Sequence, residues 1–537
     1  MTLMLLLSLI TTRNQFIYQQ LKVVCDQLTA HEERNDGESL GAGSMDPHDR
    51  YNFVRSGHPA DKIKVVMGDP CFENPCSFES VEKVFDHIEV LTKSKRKWTV
   101  LGCDALPYTI GNKVIDNHMV CPECYMEFED ITDFEEHRNY RGHCEDTPLE
   151  KCRKYNNILL LPGQGHYEIN MVKALFKLLW DIGLIDLAKM LGFSSIKALQ
   201  ACQGATNHHK SWQILQIFMF AMAQELLKNY CSEQTNKNEP VSAVGYYQWL
   251  SGVQNHNYAL MSEIVFTYCL ALHVFRAGVR RNNTAAIQTA KVKFSPLFFG
   301  LNMSFYMETF VRDLFVRVQC PPEVLAFIED NESYSVSGNE SKGEGGDFIL
   351  ENYNRKTKRL IPAGLPDNNK WLQVCRNVDR LDKVYCSLST LLGLSSVDED
   401  YMYAYDIGKE ISNFRTIIQN LKFLEQKTLK SISGKDLDKD FINFSQKSKE
   451  HRRKHLIWLK DKPLGSKHKY EPLFVLPTDR EEYDNIANKT KAEISKLVEK
   501  ELVELGDQKL DEKWIKIKRK TKPEMLTFLK EIQDDVD

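Results

Sequence analysis

The chain lacks a charge of one sign: its 70 Lys and Arg stand against 74 Asp and Glu, for a net charge of −4 over 537 residues. A uniformly basic nucleic-acid coat is therefore excluded, and any contact with nucleic acid must come from local patches. It has no internal repeat, which excludes a repeat architecture. It has little that resembles a secretory leader. The apolar run Leu3–Ile10 has no positive charge before it, no clear small-residue cleavage site after it, and is far too short to cross a bilayer. That run reads as a truncated gene start or as the end of a helix from a larger parent domain, and no membrane association is expected. Dense cysteine pairing is also missing. Fourteen cysteines are spread thinly over the chain, so reduced thiols in the cytosol or nucleus are expected instead of a disulfide scaffold.

What is present suits an ordered protein of two or three domains: 42% hydrophobic and 10% aromatic residues. Residues 1–60 read as a truncated or disordered segment and linker, ending in the polar, Gly- and Asp-rich stretch 31–60. Residues 61–120 open an α/β core. There "KWTVLGCDALPYTIG" predicts a buried strand, 98–103, with Asp104 at its C-terminal end and a Pro-containing turn after it. Residues 121–144 are an insertion, and residues 145–330 hold the rest of the core and a helical domain. "NILLLPGQGH" supplies a second strand, 157–161, and helical periodicity dominates from Met171 onward. A loop over 331–370, a helical segment over 371–435 and a charged, basic arm over 436–537 complete the chain. The fold class expected is α+β.

The most legible stretch is "CPECYMEFEDITDFEEHRNYRGHC". Cys121, Cys124, His137 and His143 follow C-x2-C-x12-H-x5-H, the spacing of a zinc site, with Cys144 as an alternative fourth ligand. Phe128 and Phe134 fall where a two-Cys, two-His zinc finger packs its small core. Four protein ligands leave no open position, so zinc here is expected to be structural. At the positions where such fingers read bases stand Asp130, Asp133 and Glu136. Between Cys124 and His137 there are six acids and no base, so DNA would repel this helix. A staple or a protein-contact knob is expected, with protein partners met through the acidic finger.

Around the finger lie "GCDALPY", "LLLPGQGHYEINMVKALFKLLW", "NHHKSWQ", "FRAGVRRNN", "SPLFFGLN" and "SVSGNESKGEGGDFILE". Together, over roughly residues 65–390, they resemble the transposon-derived family known as domain of unknown function 6589. The resemblance implies a ribonuclease-H-like core of the transposase type, in which three carboxylates hold two Mg²⁺ ions. It places Asp104 as the first of these, and a turn-capping role is the alternative. Where family members often carry an acid this chain has Gln164, and Ala105 replaces a Gly. Glu168 is a substitute only with changed geometry, and Glu308 and Asp313 are candidates for the third acid. These departures predict that catalysis, and with it Mg²⁺, is lost.

Three further groups carry two readings each. His166 is a metal ligand or a hydrogen-bonded helix-start histidine, whereas His208 and His209 read as cap or surface residues. Arg276, Arg280 and Arg281 either complement a helix dipole or bind phosphate. The C-terminal arm has nine Lys or Arg against two acids from Lys447 to Lys469, and six basic residues without an acid in "KWIKIKRKTK", residues 513–522. Arg452, Arg453, Lys454, Lys518, Arg519 and Lys520 are the expected nucleic-acid contacts, and the same blocks can act as nuclear import signals. The expectation is a catalytically inactive, transposase-derived protein of the nucleus, or less favoured the cytoplasm, binding nucleic acid with weak sequence preference. The alternatives are an active metal-dependent nuclease and a protein-interaction scaffold.

Overall fold

A computed structural model of the chain describes residues 55–56, 65, 67–73, 76–92, 99–144, 146–147, 149–319, 322–361, 364, 367–393, 406–437, 447–454, 491, 494–495, 498 and 521–534. Residues 1–54 and 57–60 of the expected N-terminal segment 1–60, and the triad Lys518, Arg519 and Lys520, lie outside the described residues. The fold is α+β in the broad sense, predominantly helical with few strands. In chain order its main elements are α1 (Phe78–Thr92), β1 (Thr99–Cys103), α2 (Ala105–Asn117), β2 (Met119–Val120), β3 (Glu127–Phe128), α3 (Ile131–Arg141), β4 (Ile158–Pro162), α4 (Gln164–Leu179), α5 (His208–Lys237), α6 (His256–Arg281), α7 (Thr284–Gly300), α8 (Ser304–Gln319), α9 (Gly346–Leu360), α10 (Asn368–Leu391), α11 (Ile407–Asn420) and α12 (Lys522–Asp534).

The described strands form two two-stranded sheets, β1 with β4 and β2 with β3. Thr99 N–H donates to the Asn157 carbonyl at 3.0 Å, and Gly163 N–H donates to the Cys103 carbonyl at 2.7 Å. These end contacts advance in step along both strands, so β1 and β4 are parallel. The Pro-containing turn expected after Asp104 is instead the first turn of α2. Pro107 is tolerated there because first-turn N–H groups have no intrahelical acceptor to lose. The loop expected over 331–370 is likewise interrupted by α9.

The chain divides into two compact units. The larger comprises Met1–Val81, Val100–Val114 and Leu160–Glu471. Its core is helix on helix, with α6 along α7 and α5 along α11. Tyr167, Phe176, Phe218, Phe275, Phe294 and Phe298 are all buried within it. Among the described residues α6 alone is long and apolar enough to cross a membrane, and 83% of its apolar window is buried inside the protein. Under the α4 end of this core runs a buried charge network. Lys291 Nζ lies 2.9 Å from Asp313 Oδ2, Arg317 Nε 3.0 Å from Asp313 Oδ1, and Arg317 Nη2 2.5 Å from Glu332 Oε1. Gln288 donates to both Asp313 and Glu332.

The smaller unit comprises Glu82–Thr99, Ile115–Leu159 and Pro472–Asp537. Tyr155 is its pivot: the ring meets Phe85 of α1 edge-on at 5.3 Å, and the hydroxyl donates to Asp86 at 2.8 Å. Next to it Lys154 pairs with Asp86 at 3.3 Å and with Glu127 of β3 at 2.9 Å, joining α1 to the β2–β3 hairpin.

Candidate functional site

The strongest candidate is a cluster of two cysteines and two histidines in the smaller unit that could hold a metal ion. The antiparallel hairpin pairs Met119 with Phe128 and Val120 with Glu127. Its turn is closed by Tyr125 N–H to the Cys121 carbonyl at 2.8 Å and Cys121 N–H to the Met126 carbonyl at 3.0 Å, with Tyr125 at φ 60°. This tight turn presents the Cys121 and Cys124 thiols on one side. The Asp130 carboxylate then starts α3 by accepting from Thr132 N–H at 2.7 Å. Gly142, at φ 69°, ends the helix with its N–H on the Arg138 carbonyl. Start and stop together present His137 from within the helix and His143 just past it.

The four donor atoms lie within 4.8 Å of one another. Cys121 Sγ is 3.7 Å from His143 Nδ1, and Cys124 Sγ is 3.4 Å from His137 Nε2. With Zn–S of about 2.3 Å and Zn–N of about 2.0–2.1 Å, a tetrahedral site has S–N edges of about 3.6 Å. The two thiols and two imidazoles therefore fit a tetrahedral metal ion such as zinc. Among the described residues they are the one group of His, Cys, Asp and Glu side chains to converge in this way. Cys144 sits close, its Sγ 3.4 Å from that of Cys121, yet the converging set takes in His143. Behind the donors Phe128 and Phe134 meet edge-on at 5.5 Å, and Phe128 covers the His137 ring at 5.0 Å. Asp130, Asp133 and Glu136 all face solvent, Asp130 being spent on the helix cap.

A second cluster occupies the larger unit where β1 and β4 end. Asp104 is exposed, and its Oδ1 accepts from Ala105 N–H at 2.7 Å and from the Tyr306 hydroxyl at 3.2 Å. His166 stands in the first turn of α4. Its Nδ1 is 2.8 Å from Asp347 Oδ2 and its Nε2 is 3.2 Å from Glu351 Oε1. The Asp347 carboxylate also caps α4, accepting from Gly165 N–H at 3.0 Å and His166 N–H at 2.7 Å. Burial alone would raise the Asp347 carboxyl. Hydrogen bonds from the His166 ring and from these two backbone groups outweigh it and hold Asp347 below the usual carboxylate range. The same ring hydrogen bond raises His166 against its burial, with Asp104 and Glu351 adding to the effect. Glycines make the approach possible. A Cβ on Gly163 would stand 2.6 Å from Asp347 Cγ, and one on Gly345 would strike Gly165 N at 2.8 Å.

Of the sequence candidates, this cluster gathers Asp104 and His166 and leaves out the rest. Glu168 is taken up by His208 at 2.9 Å and Arg276 at 3.2 Å. Burial raises its carboxyl, but Arg276 and His208 override that and bring it to about 2. Glu308 pairs with Arg312, and Asp313 belongs to the buried network. Gln164 Nε2 reaches Glu332 Oε1 at 3.4 Å, so an acid at position 164 would face a buried carboxylate. Arg276 stacks on Trp212 with its Cζ 4.4 Å from the ring centre, and Arg280 donates to the Gly343 carbonyl. Asp347, Glu351 and Tyr306 were not singled out in the sequence. The signal that finds them is the run "GEGGDFILE", whose glycines and acid interlock with "PGQGH".

In the C-terminal arm Arg452 Nη1 donates to the Val292 carbonyl at 2.7 Å and the Ser295 hydroxyl at 2.9 Å, so this guanidinium holds the larger unit together. Lys454 pairs with Glu450, while Arg453 is exposed. Comparison with protein-family models, curated proteins and solved structures finds no match for this chain.

Proposed function

We propose that this is a transposase-derived protein whose former catalytic centre has become a structural junction, and which associates with nucleic acid through basic C-terminal segments while a structural zinc ion organises its smaller unit. The observation that carries the reading is the use made of Asp347 and Gln164. Asp347 is consumed by two backbone N–H groups and the His166 ring, and Gln164 donates to buried Glu332. Neither is available to bridge metal ions in the manner of a ribonuclease-H-like site. The ancestry is supported by the order of motifs and by two parallel strands that end at Asp104 and at Gly163. Zinc is supported by the donor set, two thiolates and two imidazoles, which suits that ion among the biological divalent metals. A closed donor set supplies folding energy and leaves no site for a metal-bound water.

The test uses the full chain. Purified protein is expected to hold one zinc and to leave supercoiled and linear DNA uncut with Mg²⁺ or Mn²⁺. Its DNA affinity is expected to fall with salt at a log–log slope of about −0.9 per phosphate neutralised. Changing Lys518, Arg519 and Lys520 to Gln should flatten that slope, and changing Asp133 and Glu136 to Gln should not. A slope unmoved by the first set would remove the nucleic-acid part of the proposal.

A second reading is a metal-dependent nuclease. It is favoured by one observation: Asp347 and Glu351 flank the His166 ring at 2.8 and 3.2 Å, and the Tyr306 hydroxyl links Asp104 to the His166 carbonyl. Cleavage that requires Mn²⁺ and disappears in Asp104→Ala would establish it in place of the first.

A further inference from the structure

The helix α10 carries an apolar face that the fold leaves partly uncovered. Val374, Val378, Leu381, Tyr385, Leu388 and Leu392 recur at alternating steps of four and three. That alternation is the heptad signature of paired helices, in which each such residue inserts between four of a facing helix. The stripe changes character along its length. Val374 and Val378 are buried at 7% and 2% exposure. Further on, Leu388, Leu391 and Leu392 are 55%, 83% and 68% exposed, and Val384 is 55% exposed. The helix is firmly anchored up to this point: Asp382 takes both Lys356 and Arg359 of α9, and the Arg359 guanidinium lies over the Tyr385 ring. Beyond it the last two turns extend an ordered apolar surface into solvent. They are held as helix to the end by Leu392 N–H on the Leu388 carbonyl, and Gly393, at φ 64°, closes it.

We infer that this end of α10 is a dimerisation surface and that its occupant is the same surface of a second copy of this chain. Two observations select that occupant. From Val384 to Gly393 there is no charged residue, so the face offers no sign by which a basic or acidic partner would be chosen. An uncharged, apolar patch is complementary to itself across a two-fold axis. The area also suffices. Leu381, Val384, Tyr385, Leu388, Leu391 and Leu392 expose on the order of 600 Å² on one copy, so that pairing covers about 1,200 Å², the lower end of a specific interface. With Val384 and Leu391 flanking the heptad positions, the stripe is about 120° wide, broad enough for a helix to seat on another helix without polar residues intruding.

The experiment measures the mass of the full-length, zinc-loaded protein by light scattering and sedimentation, from about 1 to 100 μM, a range set by an interface of this modest size. A dimer is expected at the upper concentrations. Leu388→Glu combined with Leu391→Glu should give a monomer with unchanged helical content. Thr390→Glu, on the opposite face of the same turns, should remain dimeric. A readout that needs no variant is amide exchange: protection of residues 384–392 should rise with protein concentration. A wild-type monomer at every concentration overturns the inference, and more so if residues 384–392 are protected throughout, since another part of the chain then covers them. A dimer that survives the double variant places the interface elsewhere and overturns it equally.

Discussion

The finger of the smaller unit and the core of the larger unit face the same problem with very different amounts of apolar surface. The finger has a core of two phenylalanines and a few flanking residues, too little apolar surface to offset the entropy of ordering its chain. Two local turns bring four of its side chains within 4.8 Å of one another, where they could hold a metal ion. The larger unit buries dozens of apolar side chains and can afford a buried network of Lys291, Asp313, Arg317 and Glu332. With zinc bound as proposed, one region is stabilised by a ligand and the other by packing. Removing a donor should therefore be local and nearly total in the first, whereas removing a partner should be graded in the second.

The largest effect expected is on the finger. Binding of zinc to such a site is worth on the order of 10–16 kcal/mol, nearly all of it folding energy. Cys121→Ser, or a strong chelator, should abolish stoichiometric zinc and strip residues 119–144 of amide protection. The core of α5, α6 and α7 should keep its own. Loss of protection in both regions together would contradict the comparison.

Next comes Asp313→Asn. Breaking a buried ion pair from one side costs about 3–5 kcal/mol, because the abandoned Lys291 stays buried while Arg317 keeps only Glu332. The sign of the pH dependence follows from the carboxyl. Burial raises it, but Arg317 and Lys291 bring it down to about 2 in the folded protein. Its ordinary value is about 3.9. The contribution is thus fully present above about pH 4 and is lost as the pH falls toward 2. Acid titration of the larger unit should show this loss in the wild type and not in the variant.

The same contrast decides what could be read from the sequence. The finger was legible in full, donors and phenylalanines alike, because every part of it lies within 24 residues and the spacing is itself the geometry. The strands ending near Asp104 and Gly163 were legible from their apolar runs. The junction was not, since Asp347 meets His166 across 181 residues. Gln164 stood out within its motif, but the group it meets, Glu332, is 168 residues away. Arg452 looked like a phosphate contact because charge runs record composition and not where a guanidinium turns; its partners in α7 belong to a helix some 160 residues earlier.

A smaller effect tests that junction. Gly163→Ala places a methyl against the Asp347 carboxylate and should cost about 1–3 kcal/mol by overpacking. In an Asp347→Ala background the two nearest atoms are gone and only the Cβ of residue 347, 3.0 Å away, remains, so the same substitution should cost less. Thermal melts of the two single variants and the double variant give the coupling directly. Additive losses would mean that the glycine serves something other than this contact.

The smallest effect returns to the finger and separates capping from recognition. Asp130 accepts from Thr132 N–H at the start of α3, and replacing such a cap with Ala costs about 1 kcal/mol. With the finger's folding coupled to zinc as proposed, that loss appears as weaker zinc binding, by about fivefold. Asp130→Asn keeps an oxygen acceptor in place and should bind zinc nearly as well as the wild type. Competition with a chromophoric chelator measures both. DNA binding should follow neither variant beyond the small gain from removing one negative charge. If Asp130→Asn and Asp130→Ala weaken zinc alike, the charge and not the cap is what matters at this position. The exposed acids of α3 would then act on the metal centre through the field they set up, and the helix cap would contribute little.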